Sequence, residues 1–341
     1  MLPAITRFQL YIHLVVAILS STIPTSHGYE TDQLNGRDRE LKDCGKPLNA
    51  YLGEMLESAR LRAESNLSLS DSNEEAAEEF RAQVYALNPF DLQYFGARTE
   101  VWMRTELMRQ GYGWLPEPNL YSDYSQTLLA PGWNPTVTIP FVFSIARGIT
   151  GEIISPTFKI RDVRFGADKI SHFLRIGYDY WQKSEGGTRD EQAIRLGTAS
   201  ENGRIGMQAI GVFSFADLAA NFAGYRFYRN LVGPVGSDRP HFTIVRERSR
   251  LRFSKARPFD LSEYASPDWD EYLNPNVYSS HLQVAVTHAL ERRRCELCQE
   301  RTRWRSEDRS SNSLMSLDSY VDLDQAPRRV DPYQLETLCA P

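Results

Sequence analysis

The strongest constraint on this chain lies between Phe165 and Tyr228, where polar residues recur at helical spacing inside apolar and aromatic segments. FGADKISHFLRIGYDYW comes first, an acidic connector follows, and IRLGTASENGRIGMQAIGVFSFADLAANFAGYRFY completes the stretch. Side chains three or four apart share one face of a helix. Asp168 and His172 therefore face the same way. So do Ser214, Asp217, Asn221, Gly224 and Tyr228, on a later helix. Glu201 lies between them, four residues after Gly197 on a stretch flanked by Ala193 and Met207. The pattern predicts three helices that aim Asp168, His172, Glu201, Asp217 and Asn221 at one another.

Two functional classes follow from that constellation. A carboxylate beside an imidazole fixes the tautomer and raises the basicity of the ring. In a hydrolase or transferase, His172 would be the general base, Asp168 its orienter, and Glu201 or Asp217 an acid or ligand. Lys169, about a quarter turn away, is placed to hold a second acid. Lys169, Ser214, Asn221, Gly224 and Tyr228 are the binding candidates, with Ser214 a candidate nucleophile. Gly224 would admit another backbone or a ligand at close range. The other class is a binding or structural protein, in which the same groups satisfy one another and fix helix register. An open cavity would favour the enzyme, and a closed cluster the second class. No metal is assigned, because no spacing such as His-x-x-x-His occurs and Lys169 would oppose a cation. No Gly-x-Ser-x-Gly, P-loop or dinucleotide fingerprint is present, so the cofactor stays unassigned.

The compartment is read from the N-terminus. One basic residue in MLPAITR precedes an apolar run from Leu10 to Leu19, then Pro24 and Ser26-His27-Gly28. That is the layout of a signal peptide over residues 1–28, cut after Gly28, with an uncleaved anchor as the alternative. The run falls short of the roughly 20 residues of a membrane span, and no later stretch approaches that length. The expectation is an exported chain, periplasmic or secreted, without a transmembrane span once mature. A net charge of -5 argues against nucleic acid as a partner. An envelope component or a small polar ligand fits better, and the oligomeric state is left open. Cys44, Cys295, Cys298 and Cys339 allow three pairings in an oxidising compartment. The lone Cys295-x-x-Cys298 lacks the second pair that a thiolate zinc site needs. The arginines around it, Arg292 to Arg305, read as a solvated helix end.

Taken in order, helices are expected over Pro47–Glu64, Asn73–Leu87 and Arg98–Gln110, with Asn88-Pro89 breaking the second. An aromatic-rich irregular segment over residues 88–165 should carry a short strand at Val137–Ile145 and a hairpin at Thr157–Phe165. The helical core and its extension span residues 166–294, ending in a helix over His281–Arg294. Residues 295–341 are too polar to offset ordering entropy and read as a disordered tail. The fold class is mainly α: one irregular helical domain with small β-hairpins, an N-terminal helical segment over residues 29–87, and the tail.

The order Asp168-Lys169-x-x-His172-Phe173, then Glu201, then Asp217-Leu218-x-x-Asn221-x-x-Gly224 resembles the VanZ-like family and a related group of bacterial envelope proteins. The resemblance covers only this central stretch of the 341 residues. It implies an envelope role, associated in that family with resistance to glycopeptide antibiotics, and a shared polar site at these positions. VanZ-like helices span membranes, whereas those here carry Arg175, Asp179, Lys183, Arg204 and Arg226. The resemblance therefore implies a soluble, exported relative.

Overall fold

A computed structural model describes residues 39–91, 96–115, 155–292, part of 294–298, and 315–328, apart from positions 185, 188, 204–205, 209–210, 234–238 and 249. The expected signal peptide and the strand at Val137–Ile145 lie outside the described residues.

Two helices open the described chain. The first, α1 (Gly45–Asn66), buries Leu48, Leu52, Met55, Leu56, Ala59 and Ala63 along one stripe. The second, α2 (Asn73–Leu87), starts where the Ser72 side chain accepts from Glu75 N and the Glu75 carboxylate accepts from Ser72 N. This capping box satisfies two of the otherwise orphaned amides, and Glu74 and Glu75 suit the positive end of the helix. A two-residue ladder pairs β1 (Phe90–Asp91) with β2 (Gly96–Ala97) and leads into α3 (Arg98–Trp102). That helix widens into a π turn at Met103–Leu107.

The hairpin β3 (Thr157–Ile160) and β4 (Val163–Gly166) pairs Phe158 with Phe165 and Ile160 with Val163. Arg161, at φ 50°, takes the left-handed conformation that its tight turn requires. The hairpin delivers the chain to α4 (Asp168–Ser171), a π turn at His172–Ile176, and α5 (Gly177–Lys183), which run on as one rod. Next come α6 (Asp190–Asn202), the strand β5 (Val212–Phe213) and α7 (Phe215–Leu231). Ser214 caps α7 by accepting from Asp217 N at 3.1 Å. A helix buried on nearly every side belongs at the centre of a fold, and α7 buries thirteen of its seventeen residues.

Small sheets and turns close around α7. β6 (Val232–Gly233) lies parallel to β7 (Phe242–Arg246), which pairs antiparallel with β8 (Leu251–Lys255). Short 3-10 turns at Leu261–Glu263 and Pro267–Trp269 follow. β9 (Val277–Tyr278) then pairs with β5 and leads to α8 (Ser280–Arg292). The architecture is mainly α with small hairpins, as the periodicity predicts. Within the stretch read as a tail, a 3-10 turn at Leu317–Ser319 leads to Tyr320 and Val321, which are buried. Tyr320 Oη donates to Asp268 Oδ1 at 3.0 Å, and Met315 N donates to Asp268 Oδ2 at 3.1 Å. This part of the tail docks on the core because one aromatic ring and a buried carboxylate satisfy each other. Cys44 and Cys295 are free and Cys298 is disulfide-bonded; pairing through Cys44 is therefore excluded.

Candidate functional site

The rod and α7 cross where neither has a side chain to hold them apart. A Cβ added at Gly177 would lie 2.5 Å from Gly224 Cα, and one at Gly224 would lie 2.7 Å from the Phe173 carbonyl carbon. Two glycines thus bring backbone onto backbone, as small residues do at close helix crossings. The polar cluster sits beside this crossing.

Lys169 is its hub. The ammonium, fully buried, lies 2.5 Å from Asp168 Oδ2, 2.5 Å from Asp217 Oδ1 and 2.5 Å from Glu271 Oε1. Glu271 is held in turn by Asn276 Nδ2 at 3.3 Å. A second strand of the network runs through the imidazole. Asn221 Nδ2 donates to Tyr180 Oη at 3.1 Å, so Asn221 Oδ1 accepts from His172 Nδ1 at 2.9 Å. His172 Nε2 then faces Asp217 Oδ2 at 3.3 Å. Glu201 Oε2 accepts from Ser214 N at 3.4 Å, tying α6 to the start of α7. On the far side of α4, Ser171 donates to Glu100, another buried carboxyl. None of the residues from Asp168 to Glu271 named in this network is more than 5% exposed.

Burial and neighbouring charge sort these acids into two kinds. For Asp217, burial works to raise the pKa. The charges of His172 and Lys169 and the Lys169 hydrogen bond outweigh it, and the carboxyl is held below its ordinary range. Burial pushes Glu271 up to about 7 against the pull of Lys169. Glu201 is driven well above the usual carboxylate range by burial, then by the charge of Asp217. Glu100 reaches about 7, through burial only partly offset by Arg104. Tyr180 is raised by burial and by Glu201. Lys169 and His172 therefore stabilise ionised Asp217, while burial pushes Glu201, Glu271 and Glu100 toward their neutral forms.

The structure brings together Asp168, Lys169, His172, Asp217 and Asn221, and places Glu201 at the edge through Ser214. Four expected roles change. The orienter of His172 is Asn221, because the Asp168 carboxylate turns to Lys169. Ser214 is engaged as the cap of α7. Tyr228 leaves the cluster altogether, donating to Leu174 O at 2.7 Å within the aromatic core. Gly224 serves the helix crossing rather than a ligand. Sequence reading misses Glu271, Glu100, Asn276 and Tyr180. Of these, Glu271 has a visible signal: it stands in the acidic, aromatic run from Phe259 to Tyr278, where Lys169 required an acid partner.

The donor atoms of Asp168, His172 and Asp217, one from each, lie within 4.8 Å of one another. Among the described residues, no helix is long and apolar enough to cross a membrane. Compared with known proteins, the chain matches no family model, no curated sequence and no solved structure.

Proposed function

We propose that this chain is an exported binding or structural protein of the bacterial cell envelope, whose polar cluster locks the rod, α6 and α7 around a buried lysine. The observation that carries the reading is the Lys169 ammonium, with no exposed surface and three carboxyl oxygens at 2.5 Å. A closed, mutually satisfied arrangement of this kind supports helix register more than turnover of a substrate. The N-terminal pattern and the resemblance to VanZ-like proteins support the compartment. Fractionation of the native host with N-terminal sequencing tests it. Mature protein beginning near Tyr29 in an exported fraction is the expected result, and intact Met1 on cytoplasmic protein would overturn it.

A hydrolase or transferase is the second reading. It is favoured by one observation, the imidazole held between Asn221 and Asp217, which is the setting of a general base. Its candidate nucleophile, Ser214, is engaged as the cap of α7. Screening the purified chain against ester and phosphoester substrates, beside His172→Gln, tests this reading; turnover that His172→Gln abolishes would establish it over the first.

A further inference from the structure

We propose that Asp168, His172 and Asp217 hold a divalent metal ion of the zinc class, which makes the cluster a binding site as well as a lock. The inference deepens the binding role proposed above and rests on it for its biological setting, while its geometry stands separately.

The donor set is suitable in kind and in spacing. An imidazole nitrogen and two carboxylates are ordinary ligands for zinc. Ligands about 2.1 Å from a tetrahedral zinc lie about 3.4 Å apart. The His172 Nε2 to Asp217 Oδ2 separation is 3.3 Å. The widest separation in the trio, up to 4.8 Å, must shorten by up to about 1.4 Å on coordination.

Orientation of the ring is the second, independent indication. Asn221 is pinned by Tyr180, so His172 Nδ1–H is committed to Asn221 Oδ1. That arrangement turns Nε2 toward Asp217 Oδ2 at 3.3 Å. A metal-binding histidine is held in this way, its other nitrogen donating to an outer carbonyl or carboxylate.

Lys169 does not occupy the same position. It contacts Asp217 through Oδ1, whereas the imidazole faces Oδ2. It contacts Asp168 through Oδ2 and draws Glu271 in as a third carboxyl group. The ammonium therefore grips the Asp217 oxygen that the imidazole does not face, and holds both aspartates in place. Three protein ligands leave the fourth position of a tetrahedral zinc to be filled from outside the trio.

The test uses the full purified chain, stripped with a chelator and dialysed against zinc, with magnesium in a parallel arm. Metal analysis should find one zinc per chain, retained through desalting, with a raised melting temperature and no comparable effect of magnesium. His172→Gln should weaken zinc binding by more than about 100-fold, and Asn221→Ala, which only frees the ring, by about 10- to 100-fold. Cobalt(II) added to the parent chain should give visible absorption bands of a low-coordinate site, a readout that needs no variant to fold. Zinc far below one per chain, zinc binding unchanged in His172→Gln, or cobalt remaining in its aqueous spectrum would each overturn the proposal. So would nitrogen NMR showing both ring nitrogens of His172 protonated in the presence of zinc. Export of the mature chain is measured separately, so a negative metal result leaves the compartment reading standing, and the reverse also holds.

Discussion

Replacing Gly224 by alanine tests the central packing claim. On an isolated helix the change would stabilise by about 1 kcal/mol, because alanine loses less backbone entropy than glycine. Here the new methyl would overlap the Phe173 carbonyl oxygen and lie 2.7 Å from its carbon and 2.9 Å from Phe173 Cα. These are backbone atoms, so no rotamer change relieves the overlap. The rod must move away from α7, and overpacking of this kind costs about 3 kcal/mol. A displacement of roughly 1 Å also carries the 2.9 Å His172–Asn221 bond out of range, which costs about 1 kcal/mol more. Subtracting the helix propensity leaves a net loss of about 3 kcal/mol. At about 2.1 cal/mol/K of unfolding entropy per residue, the melting temperature of a chain this long should fall by about 5 °C. Gly53→Ala is the matched control: it lies within α1, and a Cβ there meets nothing within 4 Å. It should stabilise by about 0.5–1 kcal/mol. Calorimetry and urea titration of both variants beside the parent decide the matter. A Gly224→Ala chain as stable as the parent would refute the backbone-on-backbone crossing.

Lys169→Met, measured with a chelator present, removes the one ammonium from three buried carboxyls and should cost about 3–5 kcal/mol in urea unfolding; a loss below about 1 kcal/mol would mean the acids are satisfied without it. Glu100 has its pKa raised from 4.5 to about 7. Its contribution is thus full at low pH and is lost as pH rises through that window, and Glu100→Gln should flatten the fall in stability between pH 5 and 8. His241 works in the opposite direction. Burial and the Arg257 charge push it down from 6.5 to about 4, so its contribution disappears as pH falls across that range, and the acid limb of a melting-temperature profile should show it. Tyr320→Phe removes the donor to Asp268 and should destabilise by about 1 kcal/mol, and truncation before Met315 should lower the melting temperature by more, as differential scanning fluorimetry would read.

What was legible in the sequence was local. Helical spacing places Asp168, Lys169 and His172 on one rod, and Asp217, Asn221 and Gly224 on one helix, because the 3.6-residue period depends only on neighbours in the chain. The break at Asn88-Pro89 and the hairpin at Thr157–Phe165 belong to the same class. The fold class follows from them. Tertiary structure decided the partners. Glu271 reaches Lys169 across 102 positions of sequence, and Tyr320 reaches Asp268 across 52. No periodicity carries such pairings. Spacing puts Tyr228 in line with Asp217, Asn221 and Gly224, yet the ring ends on Leu174 O because the Gly177–Gly224 crossing brings that carbonyl within reach. Gly224 itself was compatible with a ligand or a backbone, and only the second helix, arriving from elsewhere in the chain, selects between them. Spacing determines which side chains share a face; long-range packing determines what that face meets.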